Sequence, residues 1–445
     1  VDNDVTHART EENPRYARGP TPDHLPAPSP ADSRPAAPPP AASRPASGAS
    51  SFDPVRALAE PAALPNPHPV FDELRSRDPV AWHDGLGTWL LTRHADCVAV
   101  LRDGARFGAD PRRAGVAMPP QAVSVQTLDP PGHTAARRPL VDALRELDRA
   151  ETAPMVAERA RALLDGLSGR SSFDVVTDFC EPLTVSTICR YLRVPEPDPA
   201  WLAPVAETVA AGMDGGVFPE RLEPAMAARA DLSALTDGWL ADPPPDGIVR
   251  AVADAVKAGE LDRVVAANTL RVLLHAGYTS ASKLLSLAVI TLLERPGALE
   301  AFAADPSPRA VDELARFCSP VQALGRVCVA PAELGGRKIE PGQDVTLFLG
   351  AANRDPARFD APHDLRPDRH PNPHLGFGRG SHSCLGAPFA AVQTRTVLAV
   401  LAERSASLRA LGAPDYRVAL TLRSPARMRV ALGRAGSDVP SPIEE

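Results

Sequence analysis

The sequence predicts a mainly α-helical protein with small β-sheets, an α+β architecture, on three observations. Residues 262–294 form one long helical pattern closed by Pro296. Amphipathic helical periodicity also fills residues 153–167 and 175–192. Strand-like runs are few and short, at 80–83, 88–92, 324–329 and 344–349.

In chain order, residues 1–50 are rich in proline, alanine and serine and cannot bury enough apolar surface to offset their ordering entropy, so a disordered leader is expected. The folded domain is expected over 51–435, with a polar, flexible tail over 436–445. From Pro69, VFDELRSRDPV reads as an amphipathic helix stopped before Pro79. Two short strands then flank a turn at Gly85 and Gly87, and 94–102 returns to helix. Residues 107–126 show no periodicity and read as a loop. Asp129 with Pro130 and Pro131 opens a helix on which His133 and Arg137, four apart, share one face. Residues 195–245 are broken by prolines and by Gly212, Gly215 and Gly216. In DELARF, Glu313 and Arg316 are helical neighbours, a pair worth only about 0.2–0.5 kcal/mol on a surface helix. A Gly335-Gly336 turn separates the last two strand-like runs.

Composition excludes several function classes. The 445 residues are 44% hydrophobic, as in a globular protein, and a net charge of −7 gives no nucleic-acid footprint. The six cysteines have no paired or metal-like spacing, which points to a reducing, cytoplasmic setting with one special cysteine rather than a disulfide frame. The longest strongly apolar run, 284–293, is too short to span a bilayer and is followed at once by Glu294 and Arg295. No secretory signal or membrane anchor is visible at the acidic, polar start.

Residues 374–391, HLGFGRGSHSCLGAPFAA, carry the chemistry. They set Cys384 behind a glycine-punctuated loop and before an apolar run that reads as a helix, where free N–H groups and the positive helix end favour a thiolate. Gly376, Gly378 and Gly380 let the backbone turn tightly past a flat partner, and Gly386 leaves room above the first helical turn. Phe377 is placed to cover the sulfur, and His382 to reach an anionic edge of the same partner. Taken singly, each element has a plainer reading, as a buried packing cysteine or a solvated His and Arg pair.

The segment matches FGxGxHxCxG at every fixed position and so resembles the cysteine-ligand loop of the cytochrome P-450 family of haem-thiolate monooxygenases. The resemblance covers about 52–434 in motif order. It implies the cytochrome P-450 fold, a triangular-prism helical domain with haem between a distal long helix and the proximal cysteine loop. It makes Cys384 the metal ligand and Phe377, Gly378 and Gly386 its haem surroundings. His382, the His133 and Arg137 pair, and Arg326 on a strand would bind the haem as well. It also gives Glu313 and Arg316 a third partner in a structural network, Arg369, with Arg366 as the alternative. Residues 107–126 would be a mobile loop over the pocket and 198–245 the lid.

The long helix departs from the family. Ala276 and Gly277 fall on its small pair, which would let the helix bulge and admit dioxygen, but Thr279 stands where an acid is expected and Ser280 where the threonine is expected. Tyr278 fills the variable slot, and it and His275 read as pocket or packing residues. Ser280 and Thr279 can relay protons through water. Alternatively the substrate brings its own acidic group, or the reaction has moved to radical coupling, oxidative decarboxylation or peroxide-driven chemistry. The activity implied is oxidation, chiefly hydroxylation, of a small organic molecule by heme b and dioxygen, plausibly a tailoring step of secondary metabolism. Electrons would come from NAD(P)H through a ferredoxin and ferredoxin reductase, to a monomer without nucleic-acid or membrane partners. A non-catalytic haem-binding protein, and a hydrolase using Cys384 with His382 as base, are the rivals from other classes.

Overall fold

Every side chain from Ala281 to Leu292 is buried. No face of this stretch is left to water, so it runs through the middle of the protein as the second half of one helix, Arg263–Leu293. Asp262 starts that helix by accepting the free N–H groups of Val264 and Val265 at 2.8 and 3.0 Å. Pro296, which cannot donate an N–H, lies just beyond its end. The computed structural model describes residues 52–146, 149–305, 307–404 and 408–432, and the expected leader and tail lie outside them.

Helices α1 (Pro54–Ala59) and α2 (His68–Arg77) lead into the hairpin β1 (Val80–His83) and β2 (Thr88–Leu91), followed by α3 (His94–Arg102) and the short β3 (Phe107–Gly108). Then come α4 (Gly132–Glu146), α5 (Arg149–Leu167), β4 (Phe173–Asp174), α6 (Glu181–Leu192), α7 (Pro199–Ala211), α8 (Leu222–Ala241), α9 (Gly247–Lys257), the long α10 (Arg263–Leu293), α11 (Ala298–Ala304) and α12 (Pro308–Cys318). The remainder is β5 (Ala323–Cys328), β6 (Ala332–Leu334), β7 (Arg337–Ile339), β8 (Asp344–Phe348), α13 (Leu349–Ala352), α14 (Ala387–Ala402), β9 (Leu408–Ala410), β10 (Asp415–Tyr416), β11 (Pro425–Arg427) and β12 (Arg429–Leu432). Strands pair in the order β1-β2-β8-β5-β3, with β2 and β8 parallel and the other pairs antiparallel. Gly335 and Gly336 join β6 to β7. The architecture is mainly α with small sheets.

Helix α10 belongs to two cores. Its 284–292 half packs with Val156 and Leu164 of α5, Leu314 of α12 and Leu401 of α14. Its 266–278 half packs with Leu140 of α4, Ile188 of α6, Leu202 of α7 and Leu232 of α8. The sheet carries a third core around Leu91, Val345 and Leu347.

Three expectations are corrected. The expected helix over 175–192 begins as a wider π turn, Val175–Cys180, and becomes α-helical at Glu181. Pro182 has no N–H to return to residue 178, which breaks the regular ladder there. Residues 107–126 are not featureless: Phe107 and Gly108 pair with Cys328 and Val327, and tight turns form at Pro111–Ala114 and Pro120–Ala122. Finally, α10 as a whole is long and apolar enough to cross a membrane by length and composition, yet 78% of its most apolar stretch is buried. It is a core helix.

Replacing Asp262 by alanine is expected to cost about 1 kcal/mol by freeing two N–H groups at the start of the helix. A denaturation midpoint equal to that of the unaltered protein would remove this cap from the account.

Candidate functional site

The cysteine loop is fixed against three elements before it presents its sulfur. Leu375 donates its N–H to Asn353 Oδ1 (2.7 Å), just after α13. Gly380 has φ +76° and passes α3 so closely that a Cβ would lie 2.2 Å from the Leu101 carbonyl oxygen. Cys384 donates its N–H to the Phe377 carbonyl (2.9 Å), closing the loop ahead of α14, whose first turn is capped by Gly386. At Gly380, and at Gly376 where a Cβ would meet Ala315 O at 2.9 Å, the close partner is protein backbone rather than a ligand. An added Cβ at Gly378 or Gly386 would meet nothing nearer than His382 O at 3.7 Å and Cys384 Sγ at 3.9 Å, ordinary contact, so no protein atom crowds those positions. The Phe377 ring meets His374 edge-on and packs on the core beside α14.

Cys384 is exposed, whereas Cys97, Cys180, Cys189, Cys318 and Cys328 are buried. Its surface is open, but the enclosing loop still desolvates the sulfur and pushes the thiol up, against the N–H groups of Gly386 and Ala387 and the charge of Arg137, which pull it down. The expectation that the helix end alone keeps this sulfur deprotonated is therefore corrected: desolvation outweighs it. Among the described residues no cluster of three His, Cys, Asp or Glu side chains could hold an ion. A metal bound at this sulfur has to arrive with its own donor set.

Beside the loop, His133 and Arg137 of α4, Arg326 of β5 and His382 converge. The rings of His133 and His382 lie 4.2 Å apart, and Asp129 Oδ1 is 3.6 Å from His382 Nε2. Burial, with the charges of His133 and Arg326, brings His382 down to about 4 against the pull of Asp129. Burial and Arg137 lower His133 as well. The Nε2 atoms of both histidines are buried without a hydrogen-bond partner, a state folded proteins rarely leave unanswered. Burial also lowers Arg326 from its ordinary value, with Asp129 opposing. Two arginines and two unanswered imidazole nitrogens suit a ligand with anionic arms, such as the haem carboxylates. Arg137 has already given one nitrogen to the loop, Nη2 donating to Ser383 O at 2.7 Å.

The carboxylate of Glu313 is fully buried. It accepts both Nε and Nη2 of Arg316 at 2.8 Å, Nε of Arg369 at 3.1 Å to each oxygen, the Arg366 backbone N–H at 2.8 Å and Asn372 Nδ2 at 3.2 Å. Arg369, and not the side chain of Arg366, is thus the second guanidinium; Arg366 turns out to Asp360. Arg316 continues to the carbonyls of Asn353, Pro362 and Asp364, and Arg369 to those of Asp360, Ala361 and Asp364. These bonds hold the segment that leads into the cysteine loop.

Helix α10 turns a narrow face outward halfway along. Ala276 is exposed and Ser280, one turn on, is half-buried, its Oγ donating back to Ala276 O at 2.8 Å. Just ahead of the wholly buried 281–292 stretch, these two positions leave the helix accessible on one side. No bulge forms: α10 is continuous, and Gly277 is small because a Cβ would lie 2.7 Å from Ile188 Cδ1 of α6. Thr279 is 1% exposed and its Oγ1 has no partner. Tyr278 packs in the core, and His275 Nε2 pairs with Ala206 O at 3.0 Å.

Sequence reasoning missed the residues that pin the 107–126 loop. Asp129, read only as a helix opener, accepts the N–H groups of Ala109 and Asp110 (3.1 and 3.2 Å) and Arg113 Nη1 (2.9 Å). Asn268 Nδ2 donates to Pro120 O and Val123 O, both at 2.9 Å, and Arg271 joins Gln121 O to Ser233 of α8. Polar side chains on an apolar-rich helix were the available signal.

Glu313→Ala is expected to strand two buried guanidinium groups at a cost of about 3–5 kcal/mol, read as a collapse of the denaturation midpoint. Gly380→Ala should cost roughly 1–3 kcal/mol through its positive φ and the Leu101 contact. If Gly380→Ala melted like the unaltered protein, that contact would not be shaping the loop.

Comparison with known proteins agrees with this geometry. The Cytochrome P450 family model matches residues 308–404. The chain is 32% identical to the cytochrome P450 YjiB of Bacillus subtilis over 76% of its length and 86% of that protein's. It is 31% identical to the erythromycin C-12 hydroxylase of Saccharopolyspora erythraea over 78% and 89% of the two chains. Among solved structures, CYP109E1 from Bacillus megaterium in complex with testosterone superposes with a TM-score of 0.77 at 25% identity, covering 84% of this chain and 99% of that one.

Proposed function

The chain belongs to the cytochrome P450 family of haem-thiolate monooxygenases, and from that premise we propose that it hydroxylates a small organic molecule in the tailoring of a secondary metabolite, with Cys384 as the protein ligand of the iron. The observation that carries the residue assignment is the open Cys384 beside a cluster in which the buried Nε2 atoms of His133 and His382 have no partner.

Haem bound here supplies a thiolate-ligated iron that activates dioxygen, the thiolate's electron density favouring O–O cleavage. Cys384, pushed up by burial when alone, becomes a thiolate once it ligates a cation. His133, His382 and Arg326 would hold the anionic arms through charge-assisted bonds, and Arg137, bonded to Ser383 O, would tie that grip to the cysteine loop. No protein atom crowds Gly378 or Gly386, which would let the loop and the first turn of α14 approach a flat ring, and Phe377 packs beside α14. Glu313, Arg316 and Arg369 keep the loop's approach rigid, which is a positioning role. Ala276 and Ser280 would form the oxygen-side wall, with Gly277 packed on Ile188 behind them and Thr279 a buried hydroxyl that would move protons through water to Ser280.

Electrons come from a redox partner. We assign that role to an iron–sulfur ferredoxin with its NAD(P)H-linked reductase, as membership of the bacterial family implies. The six free cysteines favour a reducing, cytoplasmic setting. The erythromycin C-12 hydroxylase is a relative that oxygenates, which favours oxygenation over haem carriage or cysteine hydrolysis.

The decisive experiment is the carbon monoxide difference spectrum of the reduced, haem-loaded protein. A long-wavelength Soret band is expected, with its loss in Cys384→Ser. Absence of the band in the unaltered protein, or its survival in the serine variant, overturns the assignment.

A further inference from the structure

Helix α10 has no carboxylate at position 279, but one from another element meets the helix a turn further on. One turn after Thr279, on the same stripe, Lys283 places Nζ 2.7 Å from Glu207 Oε2 of α7. The lysine side chain is 6% exposed and that of Glu207 24%. Glu207 Oε1 also accepts Ser424 Oγ at 3.2 Å. A buried lysine is costly to desolvate, and the acid answers that cost. Thr279 supplies the second observation: its hydroxyl is almost wholly buried and unpartnered, the mark of a place for water.

The groups facing this pair are known. Burial pushes the Glu207 carboxyl up, but the charge and hydrogen bond of Lys283, the Arg417 charge and the Ser424 hydroxyl outweigh it and hold it below its ordinary value. Glu181, at the start of α6, is raised by burial and further by Glu207 and Asp174, with Arg417 and Lys283 opposing. Tyr278 is raised by burial, Glu181 and Glu207, and burial keeps His275 neutral near 4 with Lys283 and Arg229 adding. Glu207 is thus the ionised, solvent-touching acid among them.

We propose that the Glu207–Lys283 pair, reaching α10 from α7, supplies the acid–base function that position 279 lacks and feeds protons through Thr279 and water to Ser280. The inference rests on the monooxygenase reading above. In each step the Lys283 ammonium gives a proton to water held at Thr279, and the Ser280 hydroxyl passes one out on the accessible side of the helix. Glu207 takes a proton from solvent at its open edge and returns it to the amine. The net change is one proton moved inward; only N–H and O–H bonds exchange, and the electrons are those the redox partner already delivers.

A purely structural staple between α7 and α10 would leave the same ion pair, so the test separates the two. Dithionite-reduced, haem-loaded protein is mixed with air-saturated buffer in H2O and in D2O, and return of the oxidised Soret spectrum is timed, which needs no substrate. The C–O infrared stretch of the carbon monoxide complex is recorded in both solvents as a second readout. Glu207→Gln and Lys283→Met are expected to slow reoxidation by about a hundredfold, in the range of a lost general acid, and to change the D2O response. Glu207→Gln/Thr279→Asp, with the acid restored on α10, should recover most of the rate. Thr279→Val removes the hydroxyl that would hold the relay water and should slow reoxidation, with the thiolate Soret band showing that the variant is folded and loaded. Unchanged rates, infrared band and D2O response in variants that keep the thiolate Soret band overturn the relay alone, as does a double variant that stays slow. Loss of that band in the unaltered protein overturns the parent reading and the relay together.

Discussion

The site depends on one carboxylate kept out of water. Glu313 and Arg316 are both fully buried, and the bonds that answer them come from Arg369, Asn372 and the backbone around 360–366. On a surface helix such a pair would add a few tenths of a kcal/mol. Here its worth lies in what its loss would strand, because each guanidinium also holds several carbonyls of an otherwise irregular segment. That segment has no strand or helix to define its path between α13 and α14. The charge network gives it one, and so aims the cysteine.

Geometry on the other side of the loop works differently. Arg137 bonds the carbonyl next to Cys384, while its helical neighbour His133 stacks on His382 two residues earlier in the same loop. The groups suited to grip a ligand's anionic arms and the group that ligates its metal therefore share a scaffold. Asp129 extends it by joining His382 to the turns at 109–113, so the pocket loop and the ligand's edge are mechanically adjacent.

Much of this was legible in the residues, and the remainder has identifiable causes. Strands 80–83 and 88–91, helix 94–102 and the long helix follow directly from alternation, glycine turns and caps, because their periodicity is local. The cysteine loop was readable since glycine spacing and a single cysteine survive as pattern. Gly277 was misread because its restriction comes from Ile188, ninety or so positions away in the chain and invisible to periodicity. Asp129 was read as a turn former since its long-range partners, Ala109 and Arg113, sit in a stretch with no regular structure. Cys384 was read from its helix end alone, whereas the desolvation that dominates it needs the folded loop. The Glu207–Lys283 contact could not be read, because it joins two helices whose facing is set by the tertiary packing.

Because α10 is shared between two cores, its ends are held by packing while Ala276 and Ser280, at the open waist, touch little of either. Substitutions at the waist are therefore weakly constrained by stability, and selection can alter chemistry there while the scaffold persists. A helix anchored at both ends and permissive in the middle is an evolvable part: it tolerates exchange of its reactive groups, or their relocation to a neighbouring helix, without refolding around each change.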